Sequence, residues 1–266
     1  MTNDNLGDRM KEFYENIPKT KLMRRCPVIV RLDMKSGHSF TRGFHRPFDK
    51  IFGDTMTRTM EYLCKNVQGC VFGYKESDEI SLVLTDYKKF SSDAFFDYEV
   101  MKVCSITASM ATMAFNRYFD EAFEDWIIAN RMEPRGYGWN DDELVKRFKA
   151  YDAAQEKGAM FDARCFNIPK EEVVNCIYWR QLDAARNSVQ MAARAKFSHS
   201  KCDHKSQSQL QEMLFHEHGI NWNNYETQWK RGVCWTREKG IDYEMPMLKG
   251  EDREYLEKLV YYREEN

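Results

Sequence analysis

Val28, Ile29, Val30 and Leu32 form a short β-branched run inside CPVIVRLD, closed by the acid Asp33. So compact an apolar run predicts a buried strand over residues 26–33. After a Gly-containing loop at 35–47, apolar residues recur at Phe48, Ile51, Phe52, Met56, Met60, Leu63, Cys64 and Val67, the spacing of one helical face. CVFGYK (70–75) and ISLVL (80–84) flank the polar tetrad Glu76-Ser77-Asp78-Glu79, which predicts two strands joined as a hairpin. A Met- and Ala-rich stretch at 93–119 predicts one long helix with Val103, Ile106, Met110, Met113 and Ala114 facing inward. FDARCFNIP (161–169) predicts another strand, 170–195 a helix and 206–218 a shorter one. Strand, helix and hairpin make a βαββ unit, and the whole order predicts an α+β fold with an antiparallel sheet of the split βαβ kind. Residues 120–160, acidic and Trp-containing with a turn at 134–138, read as a helical arm inserted into a single domain spanning 1–266; 236–266 read as a C-terminal extension.

Composition narrows the class. A chain of 266 residues with 42% apolar and 14% aromatic residues can bury a full core, which excludes a disordered scaffold. No apolar run reaches the roughly 18 residues that cross a bilayer, and the polar start MTNDNLGDRMKEFYENIPK points to a cytoplasmic protein without a membrane partner. The eight cysteines are scattered, with no C-x-x-C pair to begin a zinc site. A formal charge of −2 announces no nucleic-acid partner by itself. Between residues 186 and 205, however, Arg186, Arg194, Lys196, Lys201 and Lys205 face one acid, Asp203. Such a run fits a solvated helix face as well as an RNA surface.

The placement of the carboxylates carries the chemistry. Asp33 ends the first strand, and Asp78 and Glu79 lie in the hairpin turn. If the hairpin lies antiparallel beside the first strand, the turn and that strand end meet at one edge. Clustered carboxylates normally persist ionised around a cation, and oxygen donors without His or Cys favour Mg²⁺. Two such ions suit phosphoryl or nucleotidyl transfer. An Asp at a strand end is also a common cap, and Ser-Asp is ordinary turn composition, so the pattern alone leaves both readings open.

RLDMKSGHSFTRGFHRPFD (31–49), GYKESDEISLVL (73–84), FDAR (161–164), YWRQLDAARNS (178–188) and INWNNYETQWKRG (220–232) together resemble, in order, the tRNA-His guanylyltransferase family and its guanylyltransferase-like relatives. The resemblance implies a polymerase-type palm, a homotetramer built as a dimer of dimers, and two Mg²⁺ ions. It also implies addition of nucleotides in the 3′-to-5′ direction to the 5′ end of tRNA or a tRNA-like RNA, with GTP, ATP and other nucleoside triphosphates as co-substrates. Carried over by position, it makes Asp33, Asp78 and the Met34 carbonyl the metal ligands, with Glu79 in support. Lys35, Ser36, Gly37 and His38 would wrap the nucleotide, Ser77 would touch it, and Arg31, Lys102, Arg164 and Asn223 would hold its triphosphate. His38 is expected to contact phosphate or pack on the nucleobase in preference to acting as a base. Lys102 also reads as a snorkelling lysine, and Asn223 as a turn residue. Arg186, Asn187, Lys205 and Lys230 are the RNA-contact candidates.

The departures from the family pattern are informative. Met34 stands where the family has Gly, and Gly37 where it has Phe. Ala185-Arg186-Asn187-Ser188 replaces the family's His-Ile-Asn-Asn run, which points to the branch that restores missing 5′ nucleotides by templating. Addition of G at position −1 of tRNA-His is the alternative within the family. A palm-fold nucleotide cyclase and a non-catalytic RNA-binding module are the alternatives outside it.

Overall fold

The structure is a computed structural model that describes residues 6–130 and 142–262. It has the α+β architecture that the hydrophobic pattern predicts: a six-stranded sheet, antiparallel at every pairing, with helices on both faces. The strands are β1 (Val28–Met34), β2 (Cys70–Glu76), β3 (Glu79–Leu84), β4 (Phe161–Asn167), β5 (Val233–Thr236) and β6 (Gly240–Asp242). Their spatial order is β4-β1-β3-β2-β5-β6, so β1 and the hairpin occupy the middle of the sheet.

The helices α1 (Lys50–Asn66) and α2 (Val100–Ala129) cover one face, where Val28, Val30, Leu32 and Met34 pack with Met56, Met60, Leu63, Phe115 and Phe119. A third helix, α3 (Asp142–Lys157), folds back on α2 through Tyr151 and Ala154. The other face carries α4 (Lys170–Arg194), packed through Val173, Val174 and Ile177 on Ile29, Phe72, Tyr74 and Val83. Beyond it follow α5 (Gln207–His218), α6 (Thr227–Arg231) and α7 (Glu254–Val260). Alternation along β1 is thus divided between two cores, even positions toward α1 and α2, odd positions toward α4.

Local chemistry fixes the element ends. Asp49 caps α1 by accepting the Phe52 N–H at 3.0 Å, and Ser206 and Gln209 form a reciprocal capping box at the start of α5. The hairpin turn is tighter than the sequence suggests, because Glu76 and Glu79 are paired strand residues and only Ser77 and Asp78 turn. The inward stripe of α2 also differs: Val103, Thr107, Ala111, Ala114, Phe115, Phe119 and Phe123 are buried, while Ile106 and Met113 are exposed. Large aromatic side chains, absent from the expected stripe, rotate the helix to bury themselves. The expected arm at 120–160 consists of the last turns of α2 and the antiparallel α3; its turn at 134–138 lies outside the described residues.

Candidate active site

The acids that the sequence holds apart meet at one edge of the sheet. In the β1–β3 register Asp33 faces Glu79, and in the β1–β4 register it faces Asp162. The hairpin turn closes over the end of β1, where the Met34 N–H donates to the Asp78 carbonyl at 3.1 Å. Asp33 is half-buried, and its carboxyl is held above its ordinary value by burial first, then by the negative charge of Asp78 and of Asp162, against the pull of Arg164 and Arg31. Acids gathered this closely form a donor set short of positive charge. Mg²⁺ is the cation that such a set fits, since it takes one or two carboxylates and fills its remaining positions with water and phosphate. Asp33, Asp78 and the Met34 carbonyl would be the groups to hold it.

Basic residues border the acids on the same face. Arg31 and Arg164 are register partners two residues from Asp33 and Asp162, so the strand period brings all four to the α4 side. Arg164 lies 3.5 Å from Asp162, and Arg31 lies 3.7 Å from Glu79 and 5.6 Å from the Trp179 ring centre. Arg180, almost fully buried on α4, donates to Glu79 at 2.8 Å, meets Asp183 at 3.1 Å and lies against Glu76. Its guanidinium also stacks on Trp179 at 4.7 Å. Burial still pushes the Glu76 carboxyl up to about 8, Arg180 recovering only part of the cost, and burial raises Glu79 in the same sense.

The loop after β1 shapes the approach to the acids. Lys35 donates its N–H to the Met160 carbonyl at 2.8 Å, Ser36 adopts a left-handed backbone with φ of 58°, and a single helical turn, Gly37–Phe40, follows. Gly37 packs directly on Asp78: a Cβ there would fall inside the carboxylate. Phe40 anchors the turn in an aromatic cluster with Phe44, Phe115 and Phe119, its ring 5.4 Å from that of Phe119. A cleft of about 680 Å³ opens beside this turn, bordered by Gly37, His38, Asp49, Ser77, Asp78, Arg194 and His199. Its size is that of a small-ligand site. Asp49 is held rigidly there, accepting from Tyr151 Oη at 2.7 Å and from the His45 N–H at 2.9 Å.

Not every expected residue arrives. Lys102 is exposed on α2 and pairs with Glu99 at 3.7 Å. The level of the acids on that helix is marked by Thr112, which accepts the Phe161 N–H at 3.1 Å, and Lys102 lies ten residues earlier, about 15 Å along the axis. It therefore lies further along the sheet, near the level of Cys165, which Cys104 contacts at 3.6 Å. Asn223 is exposed on the single turn Trp222–Asn224, its carbonyl taken by Lys230 Nζ at 2.6 Å, and neither residue borders the cleft. Arg186 is exposed and paired with Asp183, Asn187 borders a smaller cavity with Lys75 and Trp229, and Lys205 is exposed just ahead of the Ser206 cap. Sequence reasoning gave no role to Asp162, Arg180 or Asp49. The signals were the D-x-R alternation in FDAR, which puts Asp162 and Arg164 on one strand face, and the i,i+3 spacing of Arg180 and Asp183.

Comparison with known proteins decides the family. The sequence profile of Thg1, tRNAHis guanylyltransferase, matches residues 7–169. The chain belongs to this family. It is accordingly a nucleotidyltransferase. A solved bacterial tRNA(His) guanylyltransferase (Thg1)-like protein in complex with ATP superposes with a TM-score of 0.80 at 35% identity, over 97% of this chain and 100% of that one. A second such structure, in complex with GTP, gives a TM-score of 0.75 at 33% identity over the same shares. A probable tRNA(His) guanylyltransferase of Dictyostelium discoideum is 26% identical over 79% of this chain and 75% of its own length. Among the described residues no helix is long and apolar enough to cross a membrane.

Proposed function

We propose that this family member is a Mg²⁺-dependent nucleotidyltransferase that adds nucleotides in the 3′-to-5′ direction to the 5′ end of tRNA or a tRNA-like RNA, restoring missing residues opposite a template. The observation that carries the reading is the convergence of Asp33 and Asp78, which lie 45 positions apart in sequence and meet at one edge of the sheet, where the Met34 N–H donates to the Asp78 carbonyl and the charge of Asp78 helps to raise the Asp33 carboxyl. Asp33, Asp78 and the Met34 carbonyl would hold the two Mg²⁺ ions, whose chemistry would be to lower the pKa of an attacking 3′-hydroxyl and offset charge on phosphate oxygens. Glu79, itself held by Arg180 and Arg31, keeps the β1–β3 edge in register beneath them. Arg31 and Arg164 engage triphosphate oxygens, where guanidinium groups give charge-assisted hydrogen bonds. The nucleoside enters the 680 Å³ cleft between the 35–38 loop and the Ser77 turn, with His38 at its rim. ATP and GTP, found in the two solved bacterial relatives, are the nucleotides expected for activation and addition. Arg186, Asn187, Lys205 and Lys230 lie outside the cleft as candidates for the RNA body. Repair is favoured over G addition at −1 by the 185–188 segment, where Ala185-Arg186-Asn187-Ser188 stands in place of the family's His-Ile-Asn-Asn run and Ser188 is buried, accepting from Trp222 Nε1 at 3.0 Å.

The test offers 5′-truncated tRNA and intact tRNA-His with each nucleoside triphosphate separately and reads growth of the 5′ end. Addition only opposite a complementary base supports repair; G added to intact tRNA-His replaces that reading with the alternative. Asp78→Ala is expected to lower incorporation by about 10³-fold or more while leaving RNA binding intact. Incorporation that survives the substitution, or that survives chelation of divalent ions, removes the two-metal assignment.

A further inference from the structure

At the end of the sheet opposite Asp33 and Asp78 lies a second concave surface, a groove of about 1,680 Å³ that includes Arg25, Tyr87, Lys88, Lys89, Phe90 and Lys170. Arg25 precedes β1, residues 87–90 follow β3 and Lys170 opens α4, so the β1–β3 and β1–β4 registers put all of them at the same sheet end. The volume exceeds the roughly 300–1,000 Å³ of small-molecule sites and suits a polymer.

Its charge and its aromatic surface say which polymer. Arg25, Lys88, Lys89, Lys170, Arg253 and Lys258 border it, against Glu251, Glu254 and Glu257. Only Arg253 is neutralised within the groove, by Glu257 at 3.2 Å; the other five cations make no ion pair with a described residue. They are interleaved with rings. The Lys170 amine lies 4.2 Å from the Tyr87 ring centre, Lys88 is 5.8 Å from that of Tyr262, and Arg25 is 5.8 Å from that of Phe90. The floor is fixed: Tyr87 donates to the Val260 carbonyl at 3.1 Å, Thr85 and Tyr262 share a hydrogen bond of 2.6 Å, and the two tyrosine rings meet edge-on at 5.5 Å. The Phe90 ring, in contrast, is 97% exposed.

We infer that this groove binds a single-stranded stretch of RNA, with phosphates along Arg25, Lys88, Lys89 and Lys170 and a base stacked on Phe90. Unpaired cations beside a free aromatic face form the usual arrangement for unpaired nucleic acid, because every base offers a stacking surface and every nucleotide a charge. A duplex hides those base faces, and an acidic peptide has no use for the bare ring. α4 links the two regions physically, since Lys170 in the groove precedes Arg180 at the acids by ten residues, about 15 Å of helix. An RNA engaged at its 5′ end by the acids is therefore held a second time on the same rigid element. The inference rests on the RNA-substrate reading above but is tested apart from it.

The experiment measures fluorescence anisotropy of a short labelled single-stranded RNA against the full chain, Phe90→Ala, and the double variant Lys88→Glu/Lys89→Glu, across a salt series. Phe90→Ala is expected to weaken binding about five-fold or more. The double variant is expected to lower the slope of log affinity against log salt by about 1.4, at 0.7 for each lost phosphate contact to a single strand. Unchanged affinity in both variants, no binding by the parent chain, or equal competition by duplex RNA or polyglutamate overturns the inference. Incorporation on 5′-truncated tRNA, assayed in parallel with the parent chain, separates the two readings. Incorporation by the parent with variant binding unaltered removes the groove and keeps the function. Binding through the groove with no incorporation removes the function and keeps the groove.

Discussion

Two buried cations lie on opposite faces of the sheet around neighbouring positions of β2, and their surroundings give them opposite fates. Arg180, on the α4 face, is 8% exposed and gathers Glu76, Glu79 and Asp183 around one guanidinium. Lys75, next to Glu76 on β2 but turned to the α1 face, is 2% exposed and makes no ion pair with a described residue; Trp229 lies 5.6 Å from its amine. Burial lowers the Lys75 amine to about 8, only Asp54 pulling the other way. A buried charge with partners organises its neighbours, whereas one without them is driven toward its neutral form.

The comparison breaks most visibly at Arg180. Arg180→Met leaves the buried Glu76 without a cation, takes one of two cations from Glu79 and from Asp183, and is expected to cost about 3–5 kcal/mol, read by chemical denaturation at neutral pH. Arg180→Lys is expected to fall between the variant and the parent, because a single ammonium cannot reproduce the fork. A cost below 1 kcal/mol for Arg180→Met contradicts the account.

Lys75 sharpens the contrast with the opposite sign. Its folded pKa lies below the ordinary 10.5, so the unfolded chain binds more protons between about 8 and 10.5. The stability it permits is complete above 10.5 and declines as the pH drops through 8. Lys75→Met is expected to gain on the order of 3 kcal/mol at pH 7, the gain shrinking toward zero by pH 10.5. A gain independent of pH counts against the lone-amine reading.

Gly37 tests the geometry more finely. Gly37→Ala pushes the Asp78 carboxylate aside, and a displacement near 1 Å at a reacting centre costs about 10²-fold in rate. Turnover is expected to fall by that factor with tRNA affinity unchanged; full turnover means that Asp78 relocates freely.

The βαββ unit was legible because β1, α1 and the hairpin each carry a clean hydrophobic period, and the antiparallel pairing of the hairpin with β1 then follows from few alternatives. Asp33 and Asp78 were legible for the same reason, as both terminate strongly patterned elements. Arg180 was not, because i,i+3 spacing to Asp183 says nothing of the two glutamates supplied by another part of the chain. Lys102 illustrates the converse: its residue type suits a phosphate, but a 30-residue helix spans the whole sheet, and only the packing of Thr112 on Phe161 reveals which end is near the acids. Lys75 carried no signal, since alternation in CVFGYK assigns it a face without saying what covers that face.

The flanking of β1 by β3 and β4 also guards against misassembly. A one-residue slip of β4 would set Ala163 against Asp33, turn Phe161 out of its core and drive Asp162 and Arg164 toward the apolar face that carries Phe115, stranding two charges there. Slips by an odd number of residues are thereby excluded, and the observed register is one that keeps the acids and arginines together on the same face.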